Sequence, residues 1–426
     1  YLIFLESKIV LSERAGFDVK PAALNPGNFP HQDAAIAWAA GIGRALIATS
    51  FGLGKTRVQC ELARLTHERT GQPFLVVCPL GVKHQFQQED GPVLGMDWQY
   101  VRTDAEAKAA TSPYLITNYE RVRDGNITEA TIAGLGGVSL DEGSVLRSLD
   151  SKTSDVFKGL FANTAFRFVA TATPSPNDYK ELIYYAEFLG VMDHGQALTR
   201  WFKRDSQKAG NLKLHPHHEK EFWMWVASWA LFLYRPSDLG YSDEGYALPE
   251  LRVHWHRIAV DQTRAWAQTD NRGQHRLLLD AAGGVREATA EKRATLPERI
   301  AKMREIMAAD PGQHWLLWHH LESERAAIER EIPEAVTVYG SQDLELREER
   351  IIGFAHGAIQ VLATKPEIAG SGCNFQRHCH SNIFLGIDYK FQDFIQAIHR
   401  TYRFQQDHPV DVHIIYAESE AQIAEA

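Results

Sequence analysis

The sequence predicts an α/β protein with two parallel sheets covered by helices and a helical insertion between them. Three observations lead there. From about residue 29 to 190, short apolar runs alternate with helical patterns, as at Ala45–Ala48, Phe74–Cys78, Tyr114–Thr117, Val138–Leu140 and Phe168–Thr171. Between 191 and 250 the apolar positions recur at helical spacing, around Trp201, Trp223, Trp225 and Trp229. From 251 alternation resumes, with strands expected at His314–Trp318, Ala335–Val338, Ala358–Ala363, Ser381–Gly386 and Val410–Tyr416. Helices are expected at Leu296–Ala308, Glu322–Glu331 and Leu344–Phe354. Unbroken apolar runs between helices suit parallel strands buried on both faces.

The expected organisation is an N-terminal helical segment over 1–28, closed by Pro26 and Gly27, a first lobe over 29–190, the insertion over 191–250 and a second lobe over 251–426. Residues 271–295, rich in Gly, Arg and Ala, read as a connector. A chain of 426 residues suits two to three domains, and 44% hydrophobic with 23% charged residues is ordinary globular composition. The net charge of −9 means that nucleic-acid binding would need a local basic groove, since global charge opposes it. Lys203, Arg204 and Lys208 read as a solvated face, and the four tryptophans as core.

Cys60, Cys78, Cys373 and Cys379 are too few for a disulfide scaffold, so a reducing, cytoplasmic setting is expected. Cys373, His378, Cys379 and His380 lack a paired second half, and His215, His217 and His218 read as a polar loop, so zinc is not expected at either place. The most apolar run, Phe222–Tyr234, is shorter than the roughly 20 residues a spanning helix needs, and Tyr1–Val10 lacks a signal pattern.

Three segments carry chemistry. Thr49–Thr56, T-S-F-G-L-G-K-T, stands between the strand Arg44–Ala48 and the helix opening at Val58. A Gly-rich turn there aims backbone N–H groups and a helix dipole at phosphates. Lys55 would reach the β/γ-phosphates and Thr56 would ligate Mg²⁺. Asp141-Glu142 directly follows the strand ending at Leu140. Asp141 would hold Mg²⁺ and Glu142 would orient or deprotonate water. Gln396–Arg403, Q-A-I-H-R-T-Y-R, places Arg400 and Arg403 one helical turn apart on one face, suited to charge developing on a phosphoryl group. Taken singly these read as a Gly-rich turn, a surface acidic pair and a solvated helix face; their order in one chain favours a shared site.

With those residues in place, the chain resembles the superfamily 2 helicases, and within them the Swi/Snf-like double-stranded DNA translocases. Phe51–Thr56 is similar to M-G-L-G-K-T, Phe29-Pro30-His31-Gln32 to R-P-Y-Q, and Leu75–Leu80 to L-I-V-x-P-L. Leu115–Glu120 resembles I-T-T-Y-E, Thr171-Ala172-Thr173-Pro174 resembles T-G-T-P, Ala369–Phe375 resembles G-G-x-G-I-N-L, and Gln396–Arg403 resembles Q-A-x-G-R-x-x-R. The matches run in order over roughly residues 29–416. The segments Ala172–Asp178 and Tyr234–Tyr241 are similar to compact helicase-like proteins of phages and mobile elements. Three positions depart: Ser144 stands for the His of D-E-A-H, His399 for a Gly before the first arginine, and Gln405 for the Gly of R-x-G-Q.

The resemblance implies two RecA-like lobes and an ATP- and Mg²⁺-dependent DNA motor, a nucleic-acid-dependent ATPase in bacterial or phage-infected host cytoplasm. It implies that Gln32 reads adenine, that Gly52, Leu53, Gly54, Lys55 and Thr56, with Gly370 and Gly372, form the nucleotide site, and that Lys55, Asp141, Glu142, Arg400 and Arg403 are catalytic. Lys83, Thr117 and Asn118, with Gly370, would meet the nucleic-acid backbone; Thr171, Thr173 and Gln396 would couple hydrolysis to movement. Double-stranded DNA is the expected partner, with single-stranded nucleic acid as the alternative. A separate nuclease, methyltransferase or replication protein would complete a pathway, and no membrane is involved. The competing readings are a strand-separating DNA or RNA helicase and a nucleotide-switched DNA-binding module with little turnover.

Overall fold

The computed structural model describes residues 11–147, 152–175, 178–204, 212–259, 291–369, 374–387, 391–417 and 420. The chain divides into two compact units, Tyr1–Glu244 and Gly245–Ala426. The sheets of both are parallel and flanked by helices, as the sequence predicts.

In the first unit, helix α1 (Pro30–Ile42) leads into β1 (Arg44–Thr49), and α2 (Lys55–Thr70) leads into β2 (Phe74–Cys78). Strands β3 (Trp98–Tyr100), β4 (Tyr114–Asn118), β5 (Gly137–Asp141) and β6 (Phe166–Thr171) follow, then helix α3 (Glu181–Leu189). The sheet has seven strands in the order β3-β4-β2-β5-β6-β1-β9, where β9 is Ala230–Leu233. Successive side chains alternate between its two faces. Leu46, Ala48, Leu75 and Val77 enter one core cluster, while Ala45, Ile47, Phe74, Val76 and Cys78 enter the other. Both faces are therefore apolar, which is why these strands read as unbroken hydrophobic runs.

The segment 191–250, expected to be a helical insertion, carries helices α4 (His194–Trp201) and α5 (Glu219–Ala227) with a short hairpin, β7 (Phe202–Arg204) and β8 (Leu212–Leu214), between them. It also supplies β9, which pairs in parallel with β1 and is part of the first sheet. Trp201, Trp225 and Trp229 are fully buried, and Trp201 stacks on Trp225 with ring centroids 4.3 Å apart. These tryptophans are core, holding α4, α5 and β9 to the sheet. Residues 11–28 contain one 3-10 turn, Pro21–Ala23, and no α-helix; the first ten residues and 271–290 of the connector expected at 271–295 lie outside the described residues, and its end, 291–294, is helical.

The second unit has a six-stranded parallel sheet in the order β10-β15-β14-β11-β13-β12. These are β10 (Leu251–Arg257), β11 (Trp315–Trp318), β12 (Val336–Val338), β13 (Val361–Thr364), β14 (Ser381–Phe384) and β15 (Val410–Tyr416). Helices α6 (Leu296–Ala309), α7 (Glu322–Glu331), α8 (Leu344–Ala355) and α9 (Phe391–Ile398) connect them. Alternation again splits the core, with Leu316 and Trp318 in one cluster and Trp315 and Leu317 in the other. A fully buried ion pair, Arg299 with Glu420, and the Lys292 ammonium 3.4 Å from Glu420 Oε1 tie Glu420, beyond β15, to this core. No described helix is long and apolar enough to cross a membrane.

Candidate active site

Because the strands of the first sheet are parallel, their last residues lie along one edge. Thr49 ends β1, Cys78 ends β2, Asn118 ends β4, Asp141 ends β5 and Thr171 ends β6. Ligands of open α/β sheets bind at that edge, and the candidate residues of this unit gather there.

The turn after β1 is shaped by two glycines in the left-handed region, Gly52 at φ 85° and Gly54 at φ 78°. Gly54 caps α2, so the unpaired N–H groups of the helix start at Lys55. A Cβ on Gly54 would stand 2.1 Å from Gln32 Nε2, so the loop and the start of α1 touch without room for a side chain. Gln32 is buried; its Nε2 donates to Leu53 O at 3.2 Å and its Oε1 accepts the Phe29 N–H at 3.0 Å. His31 Nε2 is 3.4 Å from Leu53 O, and burial lowers its pKa. Lys55 Nζ donates to Thr49 O at 3.3 Å and sits 5.3 Å from the centre of the Phe51 ring.

Thr56 is buried, and its hydroxyl donates to Gln85 Oε1 at 3.1 Å. Gln85 opens a π-helical turn, Gln85–Asp90, a form that recurs at functional sites. Asp141 is buried at the end of β5, where Gln59 Nε2 donates to its Oδ1 at 2.6 Å. The Tyr119 hydroxyl donates to Asp141 O at 2.7 Å, and burial together with Asp141 pushes the Tyr119 pKa well up. Glu142 stands at φ 50°, left-handed without being glycine, and its Oε2 is buried with no hydrogen-bond partner among the described residues. Ser144 Oγ donates to Glu142 O at 3.4 Å, and Thr171 Oγ1 accepts the Thr173 N–H at 3.1 Å.

This set fits a triphosphate with a hard divalent cation. The oxygens of Thr56 and Asp141 are the donors such a cation takes, and the turn 50–54 presents N–H groups at a helix start. Two buried oxygens on this edge, Thr49 Oγ1 and Glu142 Oε2, have no partner among the described residues, the kind of atom that a bound group or its water satisfies.

Along the same edge, Lys83 Nζ lies 5.1 Å from the Tyr100 ring centre, and the Tyr100 hydroxyl donates to Asn118 Oδ1 at 3.1 Å. Asn118 Nδ2 donates to Glu120 Oε2 at 2.7 Å. Burial raises the Tyr100 pKa against the opposing pull of Arg121, so Lys83, Tyr100, Asn118 and Arg121 form one polar group. Thr117 stands apart from it. It is fully buried, and its hydroxyl donates to Val101 O at 2.7 Å, so its side chain braces the sheet and does not face solvent.

In the second unit the arginines are not on a helix. Helix α9 ends at Ile398, and Arg400 and Arg403 lie in the turns that follow. The Arg400 and Thr401 N–H groups bond to Ala397 O and Ile398 O, which tightens the chain. The Thr401 hydroxyl donates to Ile398 O and accepts from Asn382 Nδ2, which draws this residue out of the helical register. Arg400 is buried, its carbonyl accepts the Phe375 N–H at 2.9 Å, and Arg403 Nη1 donates to Asn374 Oδ1. Gln396 is also buried. Gly370, Gly372 and Cys373 lie outside the described residues. The Cys379 Sγ donates to His314 O at 3.3 Å, and burial pushes its pKa up to about 12, so it is an inert core thiol.

Sequence reasoning missed Gln59, Gln85, Tyr100 and Arg121. Gln59 had a signal: an amide four residues after Lys55, on the helix face that packs on β5. One other cluster, Glu187, Asp193 and His194, has metal-ligand spacing among the described residues. The Lys158 ammonium is 3.1 Å from Glu187 Oε2 and His194 Nδ1 is 2.7 Å from Oε1, so an ion pair already fills it.

The first of the two parallel-sheet units gathers the Gly-rich turn, Thr56, Asp141 and Thr171 along one edge of its sheet. Residues 31–221 match the family described as SNF2-related domain. Among solved structures the chain is similar to the SWI2/SNF2 ATPase core of Sulfolobus solfataricus in complex with double-stranded DNA. The identity is 17% over 94% of this chain and 90% of that chain, with a TM-score of 0.44. A comparison with curated proteins finds no match.

Proposed function

We propose that the chain is an ATP-driven motor that translocates on or remodels double-stranded DNA. The observation that carries this reading is the gathering of the phosphate turn, Thr56, Asp141, Glu142 and Thr171 on one edge of one parallel sheet, within a segment matching the SNF2-related domain. ATP with Mg²⁺ supplies the reactive anhydride. Lys55 leaves Thr49 O for the phosphates, Thr56 and Asp141 hold the cation, and Glu142 orients the attacking water. Arg400 and Arg403 supply the guanidinium charge that offsets developing negative charge, and Thr171, Thr173 and Gln396 relay the step. Lys83, Tyr100, Asn118 and Arg121 give an acidic chain the local polar and basic contact that a DNA backbone requires.

ATP turnover measured with duplex DNA, single-stranded DNA, RNA and no nucleic acid tests the proposal, beside a strand-displacement assay. Stimulation by duplex without displacement supports it; efficient unwinding replaces it with the strand-separating reading. Glu142→Gln should lower turnover by about 10²–10⁴-fold, the range for a lost general base, while nucleotide binding persists. Unchanged turnover in that variant removes Glu142 from the chemistry.

A further inference from the structure

We propose that Gln59 is a positioning residue for Asp141, linking the helix that follows the phosphate turn to the carboxylate that takes the divalent cation. The inference rests on the reading of Asp141 given above. Gln59 is fully buried on α2, four residues after Lys55 and therefore on the same face. Its Nε2 donates to Asp141 Oδ1 at 2.6 Å, and its Oε1 accepts the Ser139 hydroxyl at 2.6 Å.

The chemistry fixes the polarity of this chain. An ionised carboxylate only accepts, so the amide must turn its N–H to Asp141; its oxygen then faces Ser139, whose hydroxyl must donate. Ser139 and Asp141 point the same way because they are two residues apart on β5. Thus one strand holds both ends of the relay and one helix holds its middle. The amide is neutral, so it orients Asp141 without the positive charge that would compete with a cation. A displacement of the Lys55 end of α2 reaches Asp141 through a single side chain. Partners that orient metal ligands in this way typically alter metal affinity about 10–100-fold when removed.

The test uses the full chain with Mn²⁺ as an EPR-visible probe and saturating ADP. A fluorescent ADP analogue in EDTA reports nucleotide affinity without metal. Gln59→Ala should weaken Mn²⁺ binding about 10–100-fold and leave metal-free nucleotide affinity within about twofold. Ser139→Ala, which frees the amide, should act in the same direction with a smaller loss. A merely structural role would lower metal-free nucleotide affinity along with Mn²⁺ affinity, and Ser139→Ala, which leaves Gln59 in place, decides the matter if Gln59→Ala does not fold. Wild-type Mn²⁺ affinity in a folded Gln59→Ala, or an equal loss of metal-free nucleotide binding, overturns the proposal alone. A wild-type chain that takes up no Mn²⁺ with ADP overturns the proposed function, and this inference with it.

Discussion

Gly54→Ala is the sharpest structural test of the phosphate turn. Two costs can be read from the geometry. At φ 78° the backbone is left-handed, which an L side chain occupies at about 1–2 kcal/mol. The new Cβ would also lie 2.1 Å from Gln32 Nε2, so Gln32 must move. Moving it forfeits the bonds to Leu53 O and from the Phe29 N–H, worth about 1 kcal/mol each. The total is about 3–4 kcal/mol, or a fall of very roughly 6–16 °C in the Tm of the first unit at ~2–4 °C per kcal/mol. Calorimetry should be run in two backgrounds. With Gln32→Ala present the clash is gone, and Gly54→Ala should cost only the backbone part, about 1–2 kcal/mol. An equal cost in both backgrounds would refute the contact between the turn and Gln32. A cost below about 0.5 kcal/mol, well under the left-handed penalty, would refute the conformation of the turn itself.

Two further outcomes concern the second unit. His319 is fully buried with no partner at either ring nitrogen among the described residues, and burial, helped by Lys365, lowers its pKa from 6.5 to about 4. The unfolded chain takes up the proton near 6.5 and the folded one only near 4, so between those values the unfolded state binds more protons and stability rises with pH. The unit should therefore lose about 3 kcal/mol from this residue as pH falls from 6.5 to 4, at about 1.4 kcal/mol per pH unit. His319→Leu should flatten the Tm-versus-pH curve over that window, and an unchanged slope counts against the buried, neutral imidazole. Gln405 is exposed at φ 68°, so Gln405→Gly should raise stability by about 0.5–1 kcal/mol by relieving left-handed strain. Destabilisation in thermal unfolding would show that the turn is held by the Gln405 side chain.

What was legible follows from where tertiary context enters. The strands β1, β2, β5 and β6 were readable because burial on both faces makes each a largely apolar run, and the Gly-rich turn because left-handed φ at Gly52 and Gly54 favours glycine. Strand β9 was hidden inside Phe222–Tyr234. The α5 helix and the strand share one aromatic-rich run there, and only pairing with β1 converts its end to a strand. Strand β10 reads L-R-V-H-W-H-R, half polar, because it is an edge strand paired on one side to β15. The arginine pair fitted helical spacing, yet Thr401 bonds to Asn382, nineteen residues away in sequence, and ends that register. Gln59 looked like any helix glutamine until Ser139 and Asp141 stood beside it.

The two non-glycine residues with positive φ among those described are Glu142, in the acidic pair, and Gln405, two residues beyond Arg403. Strain of this kind collects at functional sites, and Glu142 shows why. A strand continued through it would send consecutive side chains to opposite faces of the sheet, parting the carboxylates of Asp141 and Glu142. A left-handed residue immediately after β5 breaks that alternation, as the roles proposed for Asp141 on a cation and Glu142 on a water would need. Glycine would make the same turn at less cost but would carry no carboxylate. On the proposed role the strain at Glu142 is tied to its side chain, whereas at Gln405 no side-chain bond to a described residue offsets it and glycine is the better residue.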